Sequence, residues 1–151
     1  MAKKAKPNEA QEYLLQVRKL DANIDSKLEQ VAHLKAMTTK ITTTLKQDVI
    51  SGGGNQDKVG DAIAKIVDLE AEINRDIDAY VEKKREISGV IEAVEAADQM
   101  EVLQKRYLLY EPLEQIAVEM HCTYRNVCYI HGRALQAVTE LMKGKEHGSK
   151  E

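Results

Sequence analysis

The run from His121 to Arg133, HCTYRNVCYIHGR, carries two sets of side chains with chemical potential. His121, Cys122, Cys128 and His131 are zinc-ligand types, and Cys128 and His131 share a face if the segment is helical. Tyr124, Arg125, Asn126, Tyr129 and Arg133 are hydrogen-bonding and cationic groups of the kind that reach base edges or phosphates in a major groove. Zinc requires its ligands to converge. Here Cys122 is needed as an apolar residue at a chain corner and Cys128 points outward, so no metal is expected. No Ser/His/Asp or Cys/His pair has a third group to orient it, so neither an enzyme, a cofactor nor a small-molecule substrate is expected.

What must position the second set is a helix-turn-helix. Ile116 and Met120 lie one turn apart on its first helix, and Val127 and Ile130 one turn apart on its second. Cys122 fills the corner between them, and Ala117 sits where the two helices come too close for anything larger. Thr123 follows the corner as an N-cap, its hydroxyl able to accept from the amide of Arg125 or Asn126. The second helix is predicted from Tyr124 to about Met142. With Val127, Ile130, Ala134, Leu135 and Val138 facing inward, Thr123, Tyr124, Arg125, Asn126, Tyr129 and Arg133 become the candidate DNA-binding residues, with Cys128 beside them. His121 stands where many such corners have Gly, and a non-Gly residue in a left-handed backbone costs about 1 kcal/mol or more.

Ahead of this motif, Asp98-Gln99-Met100-Glu101 has the spacing of a capping box and marks a predicted domain boundary. Met100, Leu103, Tyr107 and Leu108 then form a support helix, and Pro112 opens the next helix at its first turn. Upstream, two long segments keep heptad spacing. The first is read from Tyr13, Val17, Leu20, Ile24, Val31, Leu34, Ile41 and Leu45, with Leu28 filling in beside Lys27. The second is read from Val59, Ile63, Ile66, Leu69, Ile73, Ile77, Tyr80, Ile87, Val90 or Ile91, and Val94. Between them Ser51-Gly52-Gly53-Gly54-Asn55 lacks the Gly-Lys-Ser/Thr ending of a phosphate-binding loop and reads as a hairpin turn. Antiparallel pairing about it sets Val31 near Ile73, Val17 near Ile87 and Leu45 near Val59. Fraying is expected to begin at TTKITTT, where β-branched residues lose rotamer freedom.

The expected fold is all-α: a disordered tail over 1–7, a long antiparallel helical hairpin (coiled coil) over 8–97, a small three-helix helix-turn-helix bundle over 98–142, and a disordered tail over 143–151. Leu14, Leu15, Leu28, Val67, Val81 and Val90 fall off the hairpin's seam, which predicts a homo-oligomer formed through it.

The runs Arg106-Tyr107-Leu108, Leu113-Glu114-Gln115-Ile116-Ala117, Tyr124-Arg125-Asn126-Val127 and His131-Gly132-Arg133-Ala134-Leu135 together resemble region 4 of bacterial sigma factors. They are most similar to the version found in small phage-encoded regulators of the RinA/ArpU type. The stretches YLLQVRKLDANIDSKLEQV, SGGGNQDKVGDAIAKIVDLEAEIN and RALQAV extend the resemblance from about Glu12 to Leu141. The resemblance implies a transcription regulator of phage or prophage genes, with double-stranded DNA and RNA polymerase as partners, working in the cytoplasm of a bacterial host.

Composition bounds these expectations. With no Trp, no Phe and two Pro, the chain has the makings of long helices. Its formal net charge of -3 gives no general attraction to nucleic acid or to an anionic membrane. From Asp98 onward there are 7 Lys plus Arg against 8 Asp plus Glu, so any DNA surface must be local and one copy should bind weakly. No stretch has the length and apolarity of a membrane span, and two closely spaced cysteines do not make a disulfide framework. The second expectation is therefore an interaction protein whose helix-turn-helix packs against a protein such as RNA polymerase, a phage structural protein or a packaging subunit.

Overall fold

The computed structural model describes residues 8–47 and 53–148, with side chains over 9–43 and 57–144. Every described element is a helix: α1 (Asn8–Gln47), α2 (Gly53–Glu92), α3 (Ala97–Leu103), α4 (Leu113–Glu119) and α5 (Tyr124–Gly148). A π-helical turn over Gln104–Leu108 continues α3. Residues 1–7 and 149–151, Ser51 and Gly52 of the expected turn, and the Leu45 side chain lie outside the described residues. Gly53, Gly54 and Asn55 already belong to α2, and α5 runs beyond Met142, through the first part of the expected tail.

The contacts divide the chain into two compact units, Leu20–Tyr80 and Met1–Lys19 with Val81–Glu151. This differs from a boundary at Asp98, because the end segments of α1 and α2 group with the C-terminal helices.

In the unit Leu20–Tyr80, α1 and α2 pair antiparallel around Ile24, Val31, Ile66 and Ile73, with Leu34, Leu69 and Tyr80 at the edge. Full burial of such a side chain stabilises by about 1.5–3 kcal/mol, so four of them hold the pair. The Lys35 to Glu70 ion pair at 3.5 Å follows the expected register. The seam is not wholly apolar. Lys27 enters it and meets Asp76 at 2.7 Å and Glu72 at 3.7 Å, and Asn23 donates to the same Asp76 carboxylate at 3.1 Å. Leu28 consequently does not fill that position and is half exposed. Ile63 and Ile77, expected inside, also lie exposed, while Ala62 is buried. The cause is that α2 carries two apolar rows one residue out of phase, and the row through Ala62, Ile66, Leu69 and Ile73 is the one that faces α1.

Continuity through the threonine run is also a finding. The hydroxyls of Thr38, Thr39, Thr42 and Thr43 donate to the carbonyls of Leu34, Lys35, Thr38 and Thr39 at 2.8–3.1 Å. Each hydroxyl is satisfied within the helix, and α1 continues to Gln47 where fraying was expected earlier.

The other unit is centred on side chains with little or no exposure: Leu14 and Val17 from α1, Ile87, Val90 and Ile91 from α2, Val102 and Leu103 from α3, Tyr107 from the π turn, and Ala134 and Val138 on α5. Leu14, which the heptad reading leaves off the seam, is thus a core residue, and Val90 and Ile91, read there as alternatives, are both buried. Tyr13 stays at the flank and donates to Glu86 at 2.6 Å under the Lys83 ammonium. α3 and α4 both pack on α5.

Candidate nucleic-acid interface

The site is built at the junction of α4 and α5. Pro112, with φ -70° and ψ 152°, is the N-cap of α4, so the helix begins one residue later than a proline in its first turn requires, and the Pro112 carbonyl accepts from the Gln115 and Ile116 amides. Ile116 and Ala117 turn inward and join Val102, Val127 and Ile130 in one core, with Leu113, Met120 and Cys122 against it. These are the corner residues the spacing requires. Ala117 is 5% exposed, consistent with a close helix approach that excludes a larger side chain.

The corner closes as a Schellman motif. The Cys122 amide donates to the Ala117 carbonyl at 3.0 Å and the His121 amide to the Val118 carbonyl at 3.2 Å. His121 takes φ 56°, the left-handed conformation expected at the position where Gly is commonest. The chain then enters α5 under the Thr123 cap, whose hydroxyl accepts from the Asn126 amide at 3.0 Å.

α5 buries Val127, Ile130, Ala134 and Val138 on one side and leaves Leu135 half buried. Thr123, Tyr124, Arg125, Asn126, Tyr129 and Arg133 are all exposed. They do not act as independent groups. Arg133 donates to the Tyr129 hydroxyl at 3.1 Å and lies over its ring, 5.8 Å from the centroid. Tyr124 sits beside the Cys128 thiol, which together with Glu114 holds its hydroxyl above the ordinary phenol range. Arg125 and Asn126 remain at the mouth of the helix, and among the described residues Arg125 has no ion-pair partner. Gly132 lies between Tyr129 and Gln136 on this outer face, and nothing approaches within 4 Å of where its Cβ would be. No internal packing requires that glycine. It leaves a shallow depression lined by Cys128, Tyr129, Arg133 and Gln136.

The sequence reading does not anticipate three supports of the site. Tyr107, 2% exposed, places its hydroxyl 2.7 Å from His131 Nε2, and the two rings stack with centroids 5.7 Å apart. Burial, with a smaller contribution from Arg106, lowers the His131 pKa, and the tautomer of the ring sets which of the two groups donates in this hydrogen bond. Lys105 on the π turn reaches Glu119 on α4 at 2.7 Å, and Gln115 donates to the same carboxylate at 3.0 Å. Tyr110 is a second left-handed residue, φ 61°, and the Arg18 guanidinium lies 5.7 Å from its ring centroid. The π turn makes this possible, because the Leu109 amide bonds back to Gln104 and the Glu111 amide to Lys105.

The expected capping box does not form. Ala96 is the N-cap of α3 and makes no side-chain cap, and Asp98 instead accepts from the adjacent Gln99 amide at 2.7 Å. The reason is a helix start two residues earlier than a cap at Asp98 requires. As for metal, Cys122 and Cys128 are free half-buried thiols, and among the described residues no three His, Cys, Asp or Glu side chains converge on one point.

This geometry defines an all-α protein with a paired-helix element and a helix-turn-helix whose second helix presents a polar, aromatic face. The chain belongs to the family described as protein of unknown function (DUF1492), whose model matches residues 40–141. No curated protein and no solved structure matches it. Among the described residues no helix is long and apolar enough to cross a membrane.

Proposed function

We propose that this protein is a sequence-specific DNA-binding transcription regulator of phage or prophage genes, with the start of α5 entering the major groove. The observation that carries the reading is the Thr123-capped helix start, where Tyr124, Arg125, Asn126 and Tyr129 are exposed while α5 buries Val127, Ile130, Ala134 and Val138. A recognition helix needs its N-terminal side chains free and its back face fixed. The resemblance of residues 106–135 to sigma region 4 supports the same assignment and makes RNA polymerase a further partner.

The charge balance sets the mode of binding. A near-neutral module neutralises few phosphates, so affinity comes from two copies on paired half-sites, joined through the α1 and α2 pair, and the salt slope is shallow at about -0.9 per phosphate contact. The test is selection from a random duplex pool, followed by titration of the selected duplex at two salt concentrations. Preference over random duplex is expected. Equal weak binding to both removes the reading.

A second reading has its own observation. Val118 on α4 and Leu109 after the π turn are 68% and 63% exposed, and large exposed apolar side chains on a near-neutral module suit a protein partner. If DNA selection fails, a protein-interaction or packaging-related role takes its place.

A further inference from the structure

α2 carries a second heptad row beside the one it buries against α1. Ile63, Val67, Glu70, Asn74, Ile77 and Val81 follow one another at alternating spacings of four and three, which aligns them in one stripe along the helix. Ile63, Val67, Ile77 and Val81 are 48, 59, 40 and 46% exposed, and Glu70 and Asn74 are exposed between them. Ala64 and Ala71 on the outer flank are exposed too, so no bulky side chain there keeps a second helix away. The opposite flank of the helix pair is a groove in which Leu34 and Leu69 are ringed by polar and charged side chains, among them Glu29, His33, Lys65 and Glu72.

The stripe is symmetric about Glu72: each apolar residue at one end has a β-branched counterpart at the same distance on the other. Place two α2 helices antiparallel with the two-fold axis at the level of Glu72, midway between Glu70 and Asn74 on the stripe. Ile63 then meets Val81 of the partner subunit, Val67 meets Ile77 of the partner subunit, and Glu70 meets Asn74 of the partner subunit, whose amide can donate to the carboxylate. Each layer is matched twice over by symmetry, along about 27 Å of helix at 1.5 Å per residue. Other alignments fail on the polar layer. Parallel pairing sets Glu70 against its own copy, and a one-heptad shift sets its carboxylate against Val67 or Val81. Leu28 extends the apolar area, because Lys35, one heptad after it, reaches Glu70 and so puts that row of α1 beside the stripe.

We infer that this stripe is the surface through which two copies of the chain associate, antiparallel and centred on Glu72. The inference rests on the proposed role of the helix pair in self-association and not on DNA binding, so its test is done without DNA. Light scattering on the full chain at micromolar concentration should give twice the chain mass, and Val67→Glu should weaken the dimer at least about tenfold by burying a charge while circular dichroism stays helical. Orientation is read by oxidative cross-linking in a Cys122→Ser, Cys128→Ser background. Val67→Cys with Ile77→Cys should cross-link between copies, whereas Val67→Cys alone should not. A monomer, a dimer insensitive to Val67→Glu, or efficient cross-linking by Val67→Cys alone would overturn the assignment. Loss of DNA preference with the dimer intact would instead strike only the DNA reading.

Discussion

The Tyr107 hydroxyl and His131 Nε2 lie 2.7 Å apart under stacked rings, so α5 is tied to the support helix by a partly buried hydrogen bond. Burial holds the His131 pKa below 6.5. A histidine whose folded pKa is depressed binds fewer protons folded than unfolded, so stability is fully present above the unfolded value and falls as pH drops through 6.5 toward the folded value. Denaturant titrations between pH 7.5 and 5 should show this loss, and His131→Gln should flatten it. Tyr107→Phe should cost about 1–2 kcal/mol at pH 7.5 by leaving the imidazole nitrogen unpaired.

The corner residue makes an opposite prediction. His121 holds φ 56° at a cost that Gly avoids, partly offset by the larger unfolded-state entropy of Gly. His121→Gly should therefore stabilise the protein by about 0.5 kcal/mol, read as a shift in the denaturant midpoint at constant slope. A loss of stability would mean that the imidazole makes a compensating contact.

The acidic pair around Lys105 should titrate far apart. Lys105 is the main cause that brings Glu119 down to about 2, helped by Gln115, while the neighbouring Glu119 carboxylate raises Glu111. Carboxyl NMR titration should find Glu111 above 4.5 and Glu119 well below it. The sign for stability follows. The Glu119 contribution is present above 4.5 and lost as pH falls toward 2. Lys105→Met should return Glu119 toward the ordinary range.

On the outer face of α5, three substitutions should separate reading, holding and approach. Arg125→Ala should cost about 1–3 kcal/mol on the preferred duplex if the guanidinium reaches a base edge, and should relax sequence preference. Arg133→Ala should weaken all duplexes alike and also release Tyr129, whose ring and hydroxyl it now holds. Gly132→Ala should stabilise the isolated protein by about 0.5–1 kcal/mol, since its Cβ meets nothing, yet reduce DNA binding if the backbone there approaches the duplex. Unchanged binding in all three would remove α5 as the recognition helix.

Much of the corner was legible because its constraints are local: Ile116, Ala117, Met120, Cys122, Val127 and Ile130 are fixed by one turn of helix on either side of a tight bend, and the Thr123 cap by its own hydroxyl. The antiparallel register of the helix pair was legible from heptad spacing, as the Lys35 to Glu70 contact bears out. The inward face of α2 was legible in part: Ile66, Leu69, Ile73 and Tyr80 lie at the pairing as expected, but Ile63 and Ile77 match the period as well as Ala62 does, and only the partner helix decides between overlapping rows. The Tyr107 to His131 contact was hidden for another reason, since a polar pair across two helices leaves no periodic trace in either. Tyr110 escaped because a π turn shifts the end of its helix, and no residue type announces that shift.

The Lys27 to Asp76 bridge inside the seam of the helix pair bears on how the chain finds its fold. Heptad helices can zip together one repeat out of step and still bury most of their apolar stripe, which makes such misalignments deep kinetic traps. A slip by one repeat would set Lys27 against Leu69 in one direction and against Lys83 in the other. The first strands a charge on an apolar partner and the second opposes two like charges. A pair that adds little as an attraction thus works as a proofreader, making wrong alignments shallow enough to escape.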